Sequence, residues 1–133
     1  MRDRSFTTVR IVSGLFALAA DLIAAGQAPA QPPAAGPEAF NNYCRTCHSI
    51  KEGDNRLGPS LYQVIGRKAG TLSGYGNYSQ AMKSSGITWD ETTLEKFVTN
   101  PEAVVPNNNM KPFKGVTDAA ARQKIVAFLK AGS

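Results

Sequence analysis

Cys44-Arg45-Thr46-Cys47-His48 holds the only two cysteines and the only histidine of the 133-residue chain. The C-x-x-C-H run is the signature of covalent c-type haem attachment. Three residues make about one helical turn, so both sulfurs lie on one side of the backbone. They can then add across the two vinyl groups of one porphyrin as thioethers. His48 follows at once and is carried under the ring, where an imidazole nitrogen can take an axial position on iron. Three other uses of these residues compete. A thioredoxin-like dithiol also uses C-x-x-C, but within a βαβ pattern that is not visible nearby. A structural zinc site needs four ligands, and two Cys with one His supply three. A disulfide is open to an exported chain, although a two-residue gap is a tight loop for one.

An iron held by one histidine keeps a free axial position, and no second histidine exists to fill it. Beyond the N-terminal segment the chain has two methionines, Met82 and Met110. A lone Met more often fills a gap in a core. Met110, however, lies in Val105-Pro106-Asn107-Asn108-Asn109-Met110-Lys111-Pro112-Phe113, an irregular stretch that can drape a thioether over the far face of a haem. It is the candidate second ligand, with Met82 a weaker competitor.

The elements that must position these residues are helical. Gly36-Pro37 opens a first helix, with Pro37 suited to the first turn and Phe40 and Tyr43 sharing a face that leads into Cys44. From Gly53 to Gly76 the chain is rich in Gly and polar residues. So long a loop region in a small domain argues for a non-protein core such as haem. Thr88-Trp89-Asp90-Glu91 reads as a capping box with Thr88 as cap. The helix behind it runs through Leu94, Phe97 and Val98 and stops at Asn100-Pro101. Thr117 caps the last helix, Asp118 sits in its first turn, and Ala121, Ile125, Phe128 and Leu129 form its apolar stripe. No segment alternates as a strand does. The expected fold is all-α: three to five helices and long loops around one covalent haem. Asn77-Tyr78-Ser79 matches a glycosylation acceptor and is read as chance.

Arg2, Arg4 and Arg10 precede an apolar run from Ile11 to Ala25, and Ala28-Pro29-Ala30 follows. This is the layout of a cleavable signal peptide over residues 1–30. The alternative is a retained anchor. It suffers from Asp21, which costs ~2.5–3.5 kcal/mol at the centre of a membrane helix, and from a run shorter than the roughly 20 residues a span needs. Residues 31–35 read as a flexible leader and 36–133 as one domain. Residues 31–133 carry 12 Lys and Arg against 8 Asp and Glu. That balance is too mild and too scattered for nucleic acid, and it suits docking on acidic patches of a partner protein.

With these motifs in order, the chain from Gly36 to Lys130 resembles a class I c-type cytochrome, the group of mitochondrial cytochrome c and its soluble bacterial relatives. The resemblance implies haem thioethers at Cys44 and Cys47 and axial ligation by His48 and Met110. Gly58-Pro59-Ser60-Leu61 resembles the family's Gly-Pro-x-Leu, whose Pro carbonyl accepts a hydrogen bond from the axial imidazole. Arg67, in Gly66-Arg67-Lys68-Ala69-Gly70, corresponds to an Arg near a haem propionate. Tyr78 and Trp89 correspond to aromatic propionate partners, and Asn108 stands where a Thr approaches a propionate. Gly36, Phe40, Ile125 and Phe128 fall where the family's terminal helices cross. The departures are Pro106-Asn107-Asn108-Asn109 in place of Pro-Gly-Thr-Lys, one extra residue between Met110 and Phe113, Phe97 in place of a buried Tyr, and Met82 in place of a buried Asn.

These resemblances imply an electron carrier rather than an enzyme: exported to the bacterial periplasm, monomeric, and docking transiently on membrane redox complexes or periplasmic oxidoreductases. Lys51, Lys83, Lys111 and Lys114 are candidates for the docking rim. Glu102, Ala103 and Asn109 thin the basic ring expected from the mitochondrial protein, which favours a bacterial dehydrogenase or reaction centre as partner. Two alternatives stay in view. A haem enzyme or ligand sensor requires Met110 to leave the iron open, and a peroxidase would lack a second histidine as acid and base. A dedicated electron-entry subunit of a larger enzyme differs only in holding its partner tightly.

Overall fold

The computed structural model describes residues 35–132. The signal peptide and almost all of the leader expected from sequence lie outside the described residues. Among the described residues five helices follow one another: α1 (Ala35–Tyr43), α2 (Gln80–Ser84), α3 (Glu91–Thr99), α4 (Pro101–Val104) and α5 (Ala119–Ala131). Among the described residues the only β feature is an isolated antiparallel bridge between Lys68 and Thr88. The fold is the all-α one expected, with long loops joining its helices.

α1 and α3 both pack on α5, and α3 also contacts α4. A Cβ built on Gly36 would sit 3.0 Å from Phe128 Cβ, so glycine lets the two backbones approach. The Phe40 and Phe128 rings meet at 5.4 Å with a 49° tilt. Ile125 is fully buried, and Ala121, Val126 and Leu129 complete the inner face of α5. In the last turn of α5, Lys130 Nζ lies 2.6 Å from Glu91 Oε1 at the start of α3 and links the two helices.

Two helix starts lie further along the chain than the composition suggests. Asp90, not Thr88, caps α3: its carboxylate accepts from Thr93 N at 2.7 Å, and Thr93 Oγ1 accepts from Asp90 N at 2.9 Å. The box is therefore Asp90–Thr93. Thr88 is drawn away because residues 87–89 pair with 66–69: Gly66 N and Trp89 N exchange bonds with Trp89 O and Arg67 O, and Ala69 N bonds Ile87 O. Likewise Asp118, not Thr117, caps α5 and accepts from Ala120 N at 2.8 Å. α3 stops where Pro101 predicts, yet the chain turns straight into α4. Asn100 closes α3 through its N–H to Lys96 O and opens α4 by accepting from Ala103 N. Neither α2 nor α4 has a hydrophobic repeat long enough to be read from sequence.

Candidate haem site

The C-x-x-C-H segment continues the turn of α1. Cys44 N bonds Phe40 O at 2.8 Å, and Cys47 N and His48 N both bond Cys44 O, at 3.1 and 2.9 Å. The two cysteines are not joined in a disulfide, and Cys44 is buried and Cys47 half-buried. Burial, reinforced by Cys47, pushes the Cys44 thiol up to about 12. Among the described residues no group of three or more His, Cys, Asp or Glu could hold a metal ion directly, so a zinc site lacks its ligand set.

His48 is buried at 6% exposure and held from one side. Its Nδ1 donates to Pro59 O at 2.8 Å. Because a carbonyl only accepts, the proton is on Nδ1 and the lone pair on Nε2. Burial lowers the pKa of the ring while the Pro59 bond opposes it, so the imidazole is kept neutral and available as a metal ligand. Gly58 lies flat against the ring. A Cβ there would come within 2.3 Å of Cε1 and 2.7 Å of Nδ1. The segment from Ser49 to Leu61 is wired to hold this arrangement. Gly58 N bonds Cys47 O at 2.8 Å and Leu61 N bonds Ser49 O at 2.7 Å. Ser60, only 1% exposed, donates to Lys51 O at 2.6 Å and takes its own amide partner from Asn55 Oδ1 at 2.9 Å.

Arg67, Tyr78 and Trp89 form a second group. The 66–69 and 87–89 pairing puts the Arg67 and Trp89 backbones side by side. Trp89 is buried and packs on Phe97 at 5.0 Å. Arg67 Nη2 donates to Ser60 O at 2.9 Å, while Nη1 is buried with no hydrogen-bond partner in the protein. Desolvation lowers the pKa of Arg67, and it raises that of Tyr78; the two groups lie close enough to oppose these shifts in each other. The orphaned, buried Arg67 N–H, with the Tyr78 phenol close by, is a donor without an acceptor and suits an anionic group.

Met110 and Asn108 form a third group on the loop after α4. Met110 is half-buried against the cluster that also contains Cys44, Met82 and Phe97. Its N–H bonds Asn108 Oδ1 at 2.9 Å. Asn108 is buried, and its Nδ2 donates to Val105 O at 2.9 Å and Glu102 Oε2 at 3.1 Å. Both of its side-chain N–H bonds are thus committed to α4 and its C-cap, Val105, and they tie down the backbone that carries Met110. Asn109 Nδ2 reaches Asn77 O at 3.0 Å and ties this loop to the Tyr78 segment. Met82, in α2, is a buried member of the core.

The residues fit a covalent haem c on four structural grounds. Two cysteines sit one turn apart, a neutral imidazole presents Nε2, a glycine leaves room for that ring, and a buried arginine N–H lacks an acceptor. Sequence reading passed over Ser49, Asn55 and Ser60, which hold the Pro59 segment, and took Glu102 only as a surface charge. Short polar side chains in a Gly-rich loop were the signal for the first three.

Comparison with known proteins agrees. The family model for cytochrome c oxidase, cbb3-type, subunit III matches residues 31–129. Cytochrome c2 iso-2 of Magnetospirillum fulvum is 46% identical over 94 residues, covering 71% of this chain and 95% of that one. Cytochrome c2 of Blastochloris viridis is 39% identical over 122 residues, 91% of each chain. In structure the chain is similar to cytochrome cH from Methylobacterium extorquens, with a TM-score of 0.67 and 39% identity, covering 74% of this chain and 96% of that one. The chain belongs to the class I c-type cytochromes, electron carriers rather than enzymes, and carries one covalently bound haem c.

Proposed function

We propose that the chain carries single electrons in the bacterial periplasm, between membrane redox complexes or periplasmic oxidoreductases, with His48 and Met110 as the axial ligands of its haem iron. The observation that carries this reading is the clamp on His48: the Pro59 carbonyl at 2.8 Å fixes the tautomer, and Gly58 leaves no slack behind the ring. When bound, the haem supplies a one-electron iron couple, and a methionine sulfur opposite a histidine raises its potential.

The chain's own residues then do three things. Cys44 and Cys47 fix the group to the end of α1. His48 and the Asn108-braced Met110 loop hold two ligand atoms on rigid backbone, so a change of charge is met with little movement. Arg67 and Tyr78 offer donors to a buried carboxylate. With both axial positions filled, no site is left for a substrate, which disfavours the enzyme and sensor readings. Docking is expected to be brief and salt-sensitive, over less than about 1,200 Å². Lys51, Lys83, Lys111 and Lys114 are all exposed, as a docking rim requires.

Export is supported by the signal-peptide pattern of residues 1–30, and among the described residues no helix is long and apolar enough to cross a membrane. The match to a family model for an oxidase subunit also favours a second reading, a subunit of a larger oxidase. Size-exclusion of the native protein separates the two: a free carrier elutes as a monomer and a subunit with its partners.

The ligand test is the far-red absorption of the oxidised, haem-loaded protein, where a methionine sulfur bound to ferric iron gives a weak band. The band should vanish in Met110→Ala and survive in Met82→Ala. A parent protein without the band, or with a high-spin spectrum, would overturn the closed site and move the enzyme or sensor reading forward.

A further inference from the structure

Glu102 is the second residue of α4 and its carboxylate is exposed, so its charge alone would be unremarked. Its two oxygens, however, both turn onto the loop that follows. Oε1 accepts from Asn107 N at 2.8 Å, and Oε2 accepts from Asn108 Nδ2 at 3.1 Å. Asn107 has φ +62°, the left-handed region that few residues other than glycine enter. Asn108 in turn accepts from Met110 N at 2.9 Å. Two hydrogen bonds therefore connect the Glu102 carboxylate to the amide of Met110.

We propose that Glu102 is a positioning residue for Met110, a carboxylate bracket that holds the Asn107–Met110 turn in the shape a Gly-free loop would not keep alone. Asn100 and the buried Pro101 anchor the bracket at its root, because they fix the first turn of α4. The Asn107 amide, and more weakly Lys111, hold the carboxylate's pKa below its usual value. Lys111 Nζ stands 3.6 Å from Oε2, but with both side chains at least half exposed this pair contributes little beside the two loop bonds. An amide in place of a carboxylate that accepts two loop donors keeps one acceptor and turns a donor towards the second, so it can hold only part of the bracket.

The proposal rests on Met110 as the axial ligand, and the test separates the two claims. The full-length, haem-loaded protein is prepared as Glu102→Ala, Glu102→Gln, Lys111→Ala and Met110→Ala. Two readouts are followed: the far-red methionine band of the ferric form, and exchange of the Asn107 and Met110 amide protons by NMR in the ferrous form. In Glu102→Ala the two amides should exchange several-fold faster and the band should weaken. Glu102→Gln should fall between it and the parent, and Lys111→Ala should match the parent in both readouts. Met110→Ala losing the band while Glu102→Ala and Glu102→Gln keep parental exchange and absorption would overturn the bracket and leave the ligand in place. A band that persists in Met110→Ala would refute the ligand itself, and the bracket with it.

Discussion

Replacing Gly58 by Ala adds one methyl group, and the structure says where it lands. The new Cβ would stand 2.3 Å from His48 Cε1, 2.7 Å from Nδ1 and 2.9 Å from Nε2. Carbon atoms in ordinary contact sit roughly 3.5–4.0 Å apart. The imidazole must therefore retreat by more than an ångström, or the Gly58 backbone must leave its bond to Cys47 O. Either movement breaks the arrangement that places Pro59 O on Nδ1 at 2.8 Å. Overpacking a tight interior costs about 1–3 kcal/mol. A buried ring N–H left without its acceptor adds about 1–3 kcal/mol. The expected loss is thus on the order of 2–6 kcal/mol, read from guanidinium unfolding of the haem-loaded protein. The same variant should show an altered ferric spectrum and a shifted midpoint potential, because the carbonyl bond to Nδ1 tunes the basicity of the ligand nitrogen. Gly58→Ala protein that unfolds within about 0.5 kcal/mol of the parent, a change usual for surface sites, with an unchanged spectrum, would refute the account of the His48 clamp.

Other perturbations test the rest of the fold. Cys44→Ala with Cys47→Ala should leave an unfolded chain by circular dichroism, since between Gly53 and Gly76 only Val64 and Ala69 belong to the buried apolar core. A stable helical product would contradict the idea that haem supplies the missing core. Ile125→Ala removes a side chain with no exposure at the α5 face and should cost about 2–5 kcal/mol in chemical unfolding. Asp90 accepts from Thr93 N, which lowers its pKa in the folded protein. Its contribution is therefore present above the usual carboxylate range and fades as pH falls through the lowered value. Asp90→Asn keeps a capping side chain without the charge, so it should unfold at a lower temperature than the parent at neutral pH, with the gap closing as the pH falls towards about 2 because only the parent loses a contribution there. A gap that does not change with pH would remove the carboxylate from the cap.

The attachment site was open to sequence reading because its chemistry is local. Two thiols and an imidazole within five residues must share a turn, whatever surrounds them. The helix faces were legible for a related reason: burial against one neighbour imposes a 3.6-residue repeat, and Ala121, Ile125 and Leu129 of α5 obey it. Helix starts were legible only to within two residues. Thr88 and Asp90 are both competent caps, and the choice between them was made by the pairing of residues 87–89 with 66–69, a contact between distant parts of the chain. α2 and α4 are too short to carry a repeat, and they exist because Ser79 and Asn100 cap them.

Tertiary structure alone decided how the ligands are held. No spacing rule announces that the Gly58 backbone lies against His48, that Ser60 is buried to tie the Pro59 segment to Lys51, or that Asn109 reaches Asn77. Glu102 shows the difference most plainly. In sequence it is one acidic residue that weakens a basic surface; in space its carboxylate accepts two donors from the turn that presents Met110. Residue type and local spacing set which atoms can bond to a haem. The directions and distances of hydrogen bonds between segments far apart in the chain set how firmly those atoms are aimed.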